Sequence, residues 1–292
     1  MSENNSFDPF VIRCGGRLLS YDRPAVMGIL NCTPDSFYDG GRYLTDAQIV
    51  GRAAQIINEG ADIIDIGVVS TRPGAELLPV EIEAERLSSV VRLIRNYWHD
   101  VVISVDTCFA HCARMAVENG ADIVNDISGG LFDDKMFDTV AQLGVPYVLM
   151  HNRAKPSIMS DVTEYDDLFQ HVVNFLSERI NRLHQLGVAD IIIDPGFGFS
   201  KTLDQNYELM SRLGDLHLLF PRQPLLVALS RKSMIYKLLD TTPDNALEGT
   251  VALHAVALLD GAQMLRVHDV RAAVQTVTIV QKLMNASKQH SL

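Results

Sequence analysis

The chain of 292 residues has few cysteines, no long hydrophobic run and no excess of positive charge. No uncharged apolar stretch reaches the ~18 residues that suggest a transmembrane helix, so we expect no membrane span. Four cysteines in a chain of this length do not predict a disulfide framework. The 25 basic and 36 acidic residues give a net charge of −11, which argues against binding along a nucleic-acid backbone.

The hydrophobic share of 47% is sufficient for one large core, and α/β barrels of ~250 residues commonly form a single domain. We predict a disordered lead-in over residues 1–9 and one domain over residues 10–292. The segment Phe10–Leu19 is predicted to form a hairpin that plugs the bottom of that domain. Met1 to Asp8 has no apolar segment typical of a secretory signal, so cytoplasmic localisation is expected.

Short apolar runs alternate with longer segments of helical periodicity along almost the whole chain. This alternation predicts βαβ units, and eight strands favour a closed (β/α)₈ TIM barrel over an open sheet. The predicted strands are Ala25–Leu30, Ile63–Ile66, Val101–Val105, Ile123–Val124, Tyr147–Leu149, Ile191–Ile193, Leu225–Leu229 and Met264–Val267. The predicted helices include Asp46–Asn58, Val80–Asn96, Ala110–Glu118, Asp167–Gln185 and Ala246–Leu259.

A short pattern repeats before several of these strands. Gly60 to Asp65 reads Gly-Ala-Asp-Ile-Ile-Asp, and Gly120 to Asn125 reads Gly-Ala-Asp-Ile-Val-Asn, with looser versions at Gly187 and Gly261. A glycine just past a helix can take the left-handed conformation before the next strand begins. The repeat therefore marks helix-to-strand turns at the face of the barrel away from the active site.

Three polar residues, Asp106, Asn125 and Asp194, end or follow predicted strands. In a barrel such residues point into the mouth at the carboxyl ends of the strands. Ionised carboxylates only accept hydrogen bonds, so this set suits a heterocycle rich in N–H donors. Alternatively, each residue caps a turn or the following helix.

Basic residues at strand ends form a second group: Arg72, Arg231, Lys232, Arg266 and His268. In an acidic protein, several cations at one mouth predict an anion site, and arginine binds phosphate through two parallel hydrogen bonds. Surface salt bridges are the alternative interpretation.

Two long connections, Asn31–Thr45 and Val68–Pro79, are rich in Gly, Pro, Ser and Asp and are predicted to act as lids. The first begins Asn-Cys-Thr-Pro-Asp-Ser-Phe, and its hard oxygen ligands suit Mg²⁺ shared with a phosphate. As an isolated turn, the same composition indicates only a flexible loop.

Together these motifs closely resemble the dihydropteroate synthase family, in the family's order and from about the first strand to the eighth. The segments that carry the resemblance are Met27–Phe37, Ser70–Gly74, Ser104–Thr107, Asn125–Ile127, Met150-His151, Asp194–Lys201, Ser230–Ser233 and Arg266–Val270. The resemblance implies an enzyme that joins 6-hydroxymethyl-7,8-dihydropterin pyrophosphate to 4-aminobenzoate, releasing pyrophosphate. It also implies Mg²⁺ as cofactor and a homodimer.

The same resemblance implies a role for each site residue. Three residues would hold the pterin, namely Asp106, Asn125 and Asp194, with Lys232 fixing its carbonyl and ring nitrogen. Arg266 would lie against the pterin and reach the leaving group, and Asn31 and His268 would complete the pyrophosphate and Mg²⁺ site. The aminobenzoate pocket would be formed by Phe37, Thr71, Arg72, Pro73, Phe199 and Ser233.

The resemblance also implies an S_N1-like reaction in which the bond between the pterin methylene and oxygen breaks first. The Asp106 carboxylate would stabilise the resulting cation, and closed loops would exclude water. Four departures from the family pattern are expected to crowd the pterin floor or alter loop mobility: Val68 and Val69 before Ser70, Asn152 after His151, Ser200 before Lys201, and Ala228 before Leu229.

Two other functions remain open. A methyltetrahydrofolate-dependent corrinoid methyltransferase could share the Asp, Asn and Asp set, but should not need the Ser-Arg-Lys, Arg-Val-His and Asn-Cys-Thr-Pro-Asp-Ser-Phe motifs together. A non-catalytic paralogue that only binds pterins is supported by the altered residues before Ser70.

Overall fold

A ring of eight parallel strands and a separate hairpin organise the molecule in a computed structural model that describes residues 7–33, 45–69 and 78–288. The hairpin consists of β1 (Phe10–Cys14) and β2 (Arg17–Tyr21). The ring consists of β3 (Ala25–Asn31), β4 (Ile63–Gly67), β5 (Val102–Asp106), β6 (Ile123–Asp126), β7 (Tyr147–Met150), β8 (Ile191–Asp194), β9 (Leu226–Val227) and β10 (Met264–Val267).

Hydrogen bonding joins the eight strands in the order β8-β7-β6-β5-β4-β3-β10-β9. A parallel bridge between Ile193 and Leu225 brings β8 against β9, and the Ile193 N–H donates to Pro224 O at 2.9 Å. These contacts nearly close the ring and confirm the predicted (β/α)₈ barrel. Strand β9 is shorter than predicted because the chain turns early, with Leu229 O accepting the Lys232 N–H at 3.1 Å.

Helices surround the barrel, and the predicted ones are confirmed to within one residue at each end. The α-helices are α1 (Asp46–Asn58), α2 (Val80–Tyr97), α3 (Ala110–Glu118), α4 (Met136–Leu143), α5 (Leu168–Gln185), α6 (Leu203–Ser211), α7 (Leu213–Leu219), α8 (Ser233–Tyr236), α9 (Leu247–Leu259) and α10 (Val270–Lys288). A 3₁₀ turn spans Pro243–Asn245. Side chains cap several starts: Thr45 and Gln48 form a capping box on α1, and Asp167 caps α5.

The barrel interior is filled at its lower end by one apolar side chain from each strand. These residues are Met27, Ile63, Val102, Ile123, Val148, Ile192, Leu226 and Met264. Phe10 and Ile12 of the hairpin pack beneath them, and burying each contributes roughly 1.5–3 kcal/mol. The hairpin therefore plugs the barrel, as predicted, and the opposite end is left for polar residues.

The repeated Gly-Ala-Asp pattern joins neighbouring strands. Asp62 Oδ2 accepts the N–H of Val26 at 2.8 Å, and Asp122 Oδ2 accepts the N–H of Ile103 at 2.9 Å. In the looser version, Gln263 Oε1 accepts a backbone N–H just before β9 at 3.3 Å. Each side chain thus pairs the start of an adjacent strand, which is a structural role away from the mouth.

Residues 1–6 of the predicted lead-in lie outside the described residues, and the domain boundary at residue 10 stays a prediction. Asp8 contacts the barrel: its carbonyl accepts Gln263 Nε2 at 2.7 Å, and its carboxylate lies 3.1 Å from His217 Nε2. Within the described ranges, no helix combines the length and apolarity needed to cross a membrane.

Candidate active site

The alternation of side chains along a strand places a polar layer directly above the apolar layer of the barrel. Asp65, Asn125, Asp194 and Arg266 each lie two positions after an apolar residue of that layer, on β4, β6, β8 and β10 respectively. Asp106 lies four positions after its apolar counterpart on β5. The structure therefore brings the predicted pterin residues and the predicted cation Arg266 to one mouth.

Arg266 connects two carboxylates across this mouth. Its Nε donates to Asp65 Oδ2 at 2.6 Å, and its Nη2 donates to Asp106 Oδ2 at 2.7 Å. The exposed fractions of the three side chains are 16% for Arg266, 0% for Asp65 and 9% for Asp106. The guanidinium is thus held by charge-assisted hydrogen bonds in a largely water-excluded place.

Asp65 is a site residue that the sequence analysis missed. Besides Arg266, its carboxylate accepts the Ser104 hydroxyl at 2.6 Å and Asn125 Nδ2 at 3.2 Å. The repeated pattern offered a signal, because Asp65 occupies in the first copy the position that Asn125 occupies in the second. Asp65 orients both Arg266 and Asn125 toward the mouth.

Burial and charge set the ionisation of this cluster. Burial raises the pKa of Asp106 to about 7, and the positive charge of Arg266 opposes that rise. For Arg266, burial disfavours the charged form, but Asp65 and Asp106 outweigh it and raise the pKa of the guanidinium. Arg266 therefore stays charged, whereas the carboxyl group of Asp106 titrates near neutral pH.

Asp194 and Lys232 form the other side of the mouth. Asp194 Oδ1 accepts the Gly196 N–H at 2.7 Å, and Lys232 Nζ donates to Phe197 O at 2.5 Å. Burial raises the pKa of Asp194, and the nearby charge of Lys232 opposes it. Burial lowers the pKa of Lys232 to about 8, against the opposing charge of Asp194. The Asp194 carboxylate and the Lys232 ammonium therefore lie close enough for each charge to affect the pKa of the other.

Phe199 and Ser233, predicted for the aminobenzoate pocket, lie on the same side. Lys232 Nζ lies 4.6 Å from the centroid of the Phe199 ring, a cation–π distance. Ser233 is half-buried and begins α8, directly after Lys232. The structure therefore places an aromatic wall next to the predicted pterin side.

Asn31 ends β3 and faces the space above Gly67. A Cβ built at Gly67 would lie 3.5 Å from Asn31 Oδ1 and 4.0 Å from Asp106 Oδ2. The absence of a side chain at Gly67 leaves room between the Asn31 amide and the Asp106 carboxyl. An amide oxygen is a hard ligand of the type that Mg²⁺ shares with phosphate. Among the described residues, no group of three or more His, Cys, Asp or Glu side chains forms a metal site.

The sequence predicts His268 and Arg231 as cations of an anion site, but neither presents an uncompensated positive charge there. Burial, followed by the charge of Arg266, lowers the pKa of His268 to about 4, so its imidazole is neutral at pH 7. Arg231 pairs with both oxygens of Asp269, at 2.7 and 2.9 Å. For Arg231 the salt-bridge alternative is therefore the better interpretation, whereas His268 follows β10 beside Arg266.

Four predicted site residues, Phe37, Thr71, Arg72 and Pro73, lie outside the described residues, as do most positions of the two predicted lids. Their assignment to the aminobenzoate pocket stays a prediction.

The departures at Val68 and Ala228 affect packing. Val68 is buried in the core between barrel and helices, and Val69 packs against that core from a half-buried position. Ala228 is buried against the apolar barrel interior two positions after Leu226, and the β9–β10 register places it at the level of Arg266. Val68 therefore lies away from the polar layer and does not crowd the pterin floor.

The departures at Asn152 and Ser200 contact each other. Ser200 adopts φ +50°, a left-handed conformation that favours glycine. Its hydroxyl donates to Asn152 Oδ1 at 3.2 Å, and Asn152 Nδ2 donates to Ile127 O at 3.1 Å. This added hydrogen bond offsets the cost of a serine in a left-handed conformation.

Comparison with known proteins matches this architecture. The family model described as "pterin binding enzyme" covers residues 27–268. The dihydropteroate synthase of Escherichia coli strain K12 is 42% identical over 275 residues, which span 94% of this chain and 96% of that protein.

Solved structures agree. A Yersinia pestis dihydropteroate synthase in a sulfonamide drug complex superposes with a TM-score of 0.88 at 38% identity, covering 94% of this chain and 100% of that one. A Xanthomonas albilineans dihydropteroate synthase with 4-aminobenzoic acid gives a TM-score of 0.86 at 40% identity, covering 94% and 98%. The chain therefore belongs to the pterin-binding enzyme family and, within it, to the dihydropteroate synthases, which transfer a pterin-methyl group.

Proposed function

We propose that this chain joins 6-hydroxymethyl-7,8-dihydropterin pyrophosphate to 4-aminobenzoate at the mouth of the barrel, with the roles given below. The observation that carries the proposal is the arrangement of Arg266 between Asp65 and Asp106. It places a fixed cation and two carboxylates at one end of a mouth whose other end holds Asp194 and Lys232.

The pterin occupies the polar layer. Asp194 and Asn125 have oxygens that accept hydrogen bonds from the amino and ring N–H groups of the heterocycle. Lys232 donates to its carbonyl and ring nitrogen, since burial leaves the ammonium with few competing waters. Asp65 acts through Asn125 and Arg266 and therefore orients the binding groups.

Bond cleavage precedes bond formation in this proposal. The pterin methylene carbon separates from the pyrophosphate oxygen, which takes the bonding electrons, and the electron-rich ring delocalises the positive charge. The Asp106 carboxylate stabilises that charge, and removal of one such preorganised group typically costs about 10²–10³ in kcat. Arg266, held on its far side by Asp65, stabilises the departing anion.

Asn31, Arg266 and His268 would hold the pyrophosphate, with Asn31 supplying an oxygen ligand to Mg²⁺. When bound, Mg²⁺ supplies charge neutralisation for the leaving group. The support is the Asn31 amide oxygen beside the space above Gly67. His268 takes part as a neutral donor, because its lowered pKa keeps it uncharged at pH 7.

4-Aminobenzoate then attacks from the side of Phe199 and Ser233. Its amine nitrogen forms the bond to the methylene carbon and loses a proton to solvent. The arylamine is a sufficient nucleophile toward a cation, so the proposal assigns no general base. Phe37, Thr71, Arg72 and Pro73 complete this pocket as the sequence resemblance implies.

The deciding experiment measures pyrophosphate release and dihydropteroate formation from the pterin pyrophosphate, with and without 4-aminobenzoate. The synthase produces dihydropteroate only when 4-aminobenzoate is present. A non-catalytic paralogue binds 6-hydroxymethylpterin without releasing pyrophosphate, and that result would overturn the proposal. A corrinoid methyltransferase would instead demethylate methyltetrahydrofolate in the presence of a corrinoid protein.

We further propose a homodimer formed through α9 and α10, which pack against each other. Val256 and Leu259 on α9 and Ile279 on α10 are 44%, 38% and 69% exposed. Exposed apolar side chains on two helices that pack against each other support an interface at these helices. Light scattering should give twice the chain mass, and Ile279→Glu should shift the protein toward monomer. A wild-type monomer at micromolar concentration would contradict this.

We propose that the protein acts in the cytoplasm. Its four cysteines, Cys14, Cys32, Cys108 and Cys112, are free thiols, which suits a reducing compartment. Fractionation of cells that express the chain tests this, and recovery outside the cytoplasm would refute it.

A further inference from the structure

A buried lysine outside the predicted site holds the loop after β8. Lys201 is 8% exposed, and its Nζ lies 2.8 Å from Gly196 O, 3.1 Å from Phe199 O and 2.9 Å from His151 Nδ1. An ammonium group has three donors and no acceptor, so these three contacts satisfy it completely. The two carbonyls belong to the ends of one short loop, residues 196–199.

That loop anchors both groups on the Asp194 side of the mouth. The Gly196 N–H donates to Asp194 Oδ1 at 2.7 Å, and Phe197 O accepts from Lys232 Nζ at 2.5 Å. The Phe199 ring lies under Lys232. A change in the loop would therefore move the acceptor and the aromatic ring that orient Lys232, and the N–H that orients Asp194.

The loop has little freedom on its other side. Gly196 adopts φ +72°, and a Cβ built there would lie 2.0 Å from His151 O. The backbone after β8 thus lies against the backbone after β7 with no space between them. This backbone contact and the two hydrogen bonds from Lys201 together restrict the position of residues 196–199.

A pair of histidines connects Lys201 to the edge of the molecule. His151 Nδ1 must accept from the ammonium, so His151 carries its proton on Nε2 and donates it to His171 Nδ1 at 3.0 Å. Burial, followed by the charge of Lys201, lowers the pKa of His151 well below its usual value, so this imidazole is neutral. The half-buried His171 on α5 ends the chain of hydrogen bonds.

The pKa of Lys201 depends on burial and on the charged groups around it. Burial lowers the pKa of Lys201 to about 7, with the carboxylate of Asp194 opposing that shift and the charge of Lys232 adding to it. His151 in turn faces His171, Arg153 and Arg179 as well as Lys201. The ammonium form of Lys201 therefore depends on its three acceptors and on Asp194.

We propose that Lys201 is a positioning residue for the pterin substrate, acting through residues 196–199 on Asp194 and Lys232. Lys201 does not contact the substrate in this proposal, and its effect passes through the two residues that do. The inference rests on the proposed pterin site and adds to it a residue without an assigned role.

The test compares Lys201→Met, which keeps length but removes all donors, with Lys201→Gln, which keeps an amide donor. Lys135→Met, an exposed lysine before α4, is the matched control. The binding probe is 6-hydroxymethylpterin, measured by fluorescence below the melting temperature of each variant. Turnover with both substrates is measured in parallel.

We expect the Kd for 6-hydroxymethylpterin to rise about tenfold in Lys201→Met and about threefold in Lys201→Gln, and to stay unchanged in Lys135→Met. A purely structural role would lower the melting temperature without changing this Kd, and that result would overturn the proposal. If Lys201→Met does not fold, Lys201→Gln decides, and unchanged binding in it refutes the positioning role. Wild-type protein that binds the probe without turnover would instead contradict the proposed synthase reaction.

Discussion

Replacement of Arg266 by methionine tests the central arrangement of the site through protein stability. The guanidinium bonds to Asp65 at 2.6 Å and to Asp106 at 2.7 Å, and all three side chains are largely buried. Methionine fills a similar volume but leaves two buried carboxylates without their cation. Removal of one partner from a buried ion pair typically costs about 3–5 kcal/mol, so we expect the free energy of unfolding at pH 8 to fall by that amount.

The loss should depend on pH with a definite sign. Burial raises the pKa of Asp106 in the folded protein to about 7, whereas an unfolded aspartate titrates near about 3.9. Folding therefore takes up a proton, and stability falls as the pH rises from the unfolded toward the folded pKa. Because Arg266 opposes the rise in the pKa of Asp106, its removal raises that pKa further, and the fall continues to higher pH. Each further pKa unit adds about 1.4 kcal/mol to the deficit.

Urea unfolding of wild type and Arg266→Met at pH 5 and pH 8 measures this difference. The deficit should be smaller at pH 5, where Asp106 is protonated in both proteins. Arg17→Met is the control, because Arg17 pairs with Asp100 at the surface, with exposed fractions of 44% and 92%, and such pairs contribute no more than about 1 kcal/mol. A deficit in Arg266→Met that is as small as in Arg17→Met, or equal at both pH values, would refute the reasoning.

Four further outcomes follow from the site. Asp106→Asn keeps an acceptor oxygen for Arg266, which also retains Asp65 as its counter-charge, so the melting temperature should stay within a few degrees. Its kcat should fall by about 10²–10³, and near-normal turnover would exclude the electrostatic role of Asp106. Asn31→Ala should raise the Mg²⁺ concentration needed for half-maximal turnover, and an unchanged Mg²⁺ titration would remove Asn31 from the metal site. The affinity for 6-hydroxymethylpterin should fall as the pH rises through the pKa of Lys232 at about 8, because the ammonium becomes neutral; the same fall in Lys232→Met would assign it to another group. Ser200→Ala should lose about 1 kcal/mol of unfolding free energy, while Ser200→Gly stays near wild type because relief of its φ of +50° offsets the lost hydrogen bond. Equal stabilities of the two Ser200 variants in urea unfolding would contradict that balance.

Strand and helix positions could be predicted because each leaves a local pattern in the sequence. Apolar runs such as Ile191–Ile193 lie between a helix-ending glycine and a polar strand end, and Thr45 and Asp167 mark helix starts by capping. The early end of β9 could not be predicted, because Ala228 and Leu229 are as apolar as the strand residues before them. The turn that ends the strand depends on the backbone contact between Leu229 and Lys232.

In the site, the positions of the residues could be predicted from the sequence, whereas their contacts could not. That Asp106, Asn125 and Asp194 share a mouth follows from their places at strand ends, but their partners come from distant parts of the chain. Arg266 reaches Asp65 across 201 positions of sequence, and no local pattern encodes such a contact.

Asp65 could have been identified from the sequence by the alternation of side chains along its strand. The lower layer of a closed barrel is apolar and its mouth is polar, so the inward-facing side chains of each strand must change from apolar to polar. Side chains alternate along a strand, so only every second residue takes part in this change. Counting two positions from Ile63, Ile123 and Ile192 leads to Asp65, Asn125 and Asp194, so the same rule that supports the predicted pair identifies the missed one. A charged residue within an otherwise apolar strand therefore indicates where along that strand the apolar core ends and the active site begins. Lys201 escapes that rule because it lies beyond the strand end, where its three acceptors depend on how two loops meet.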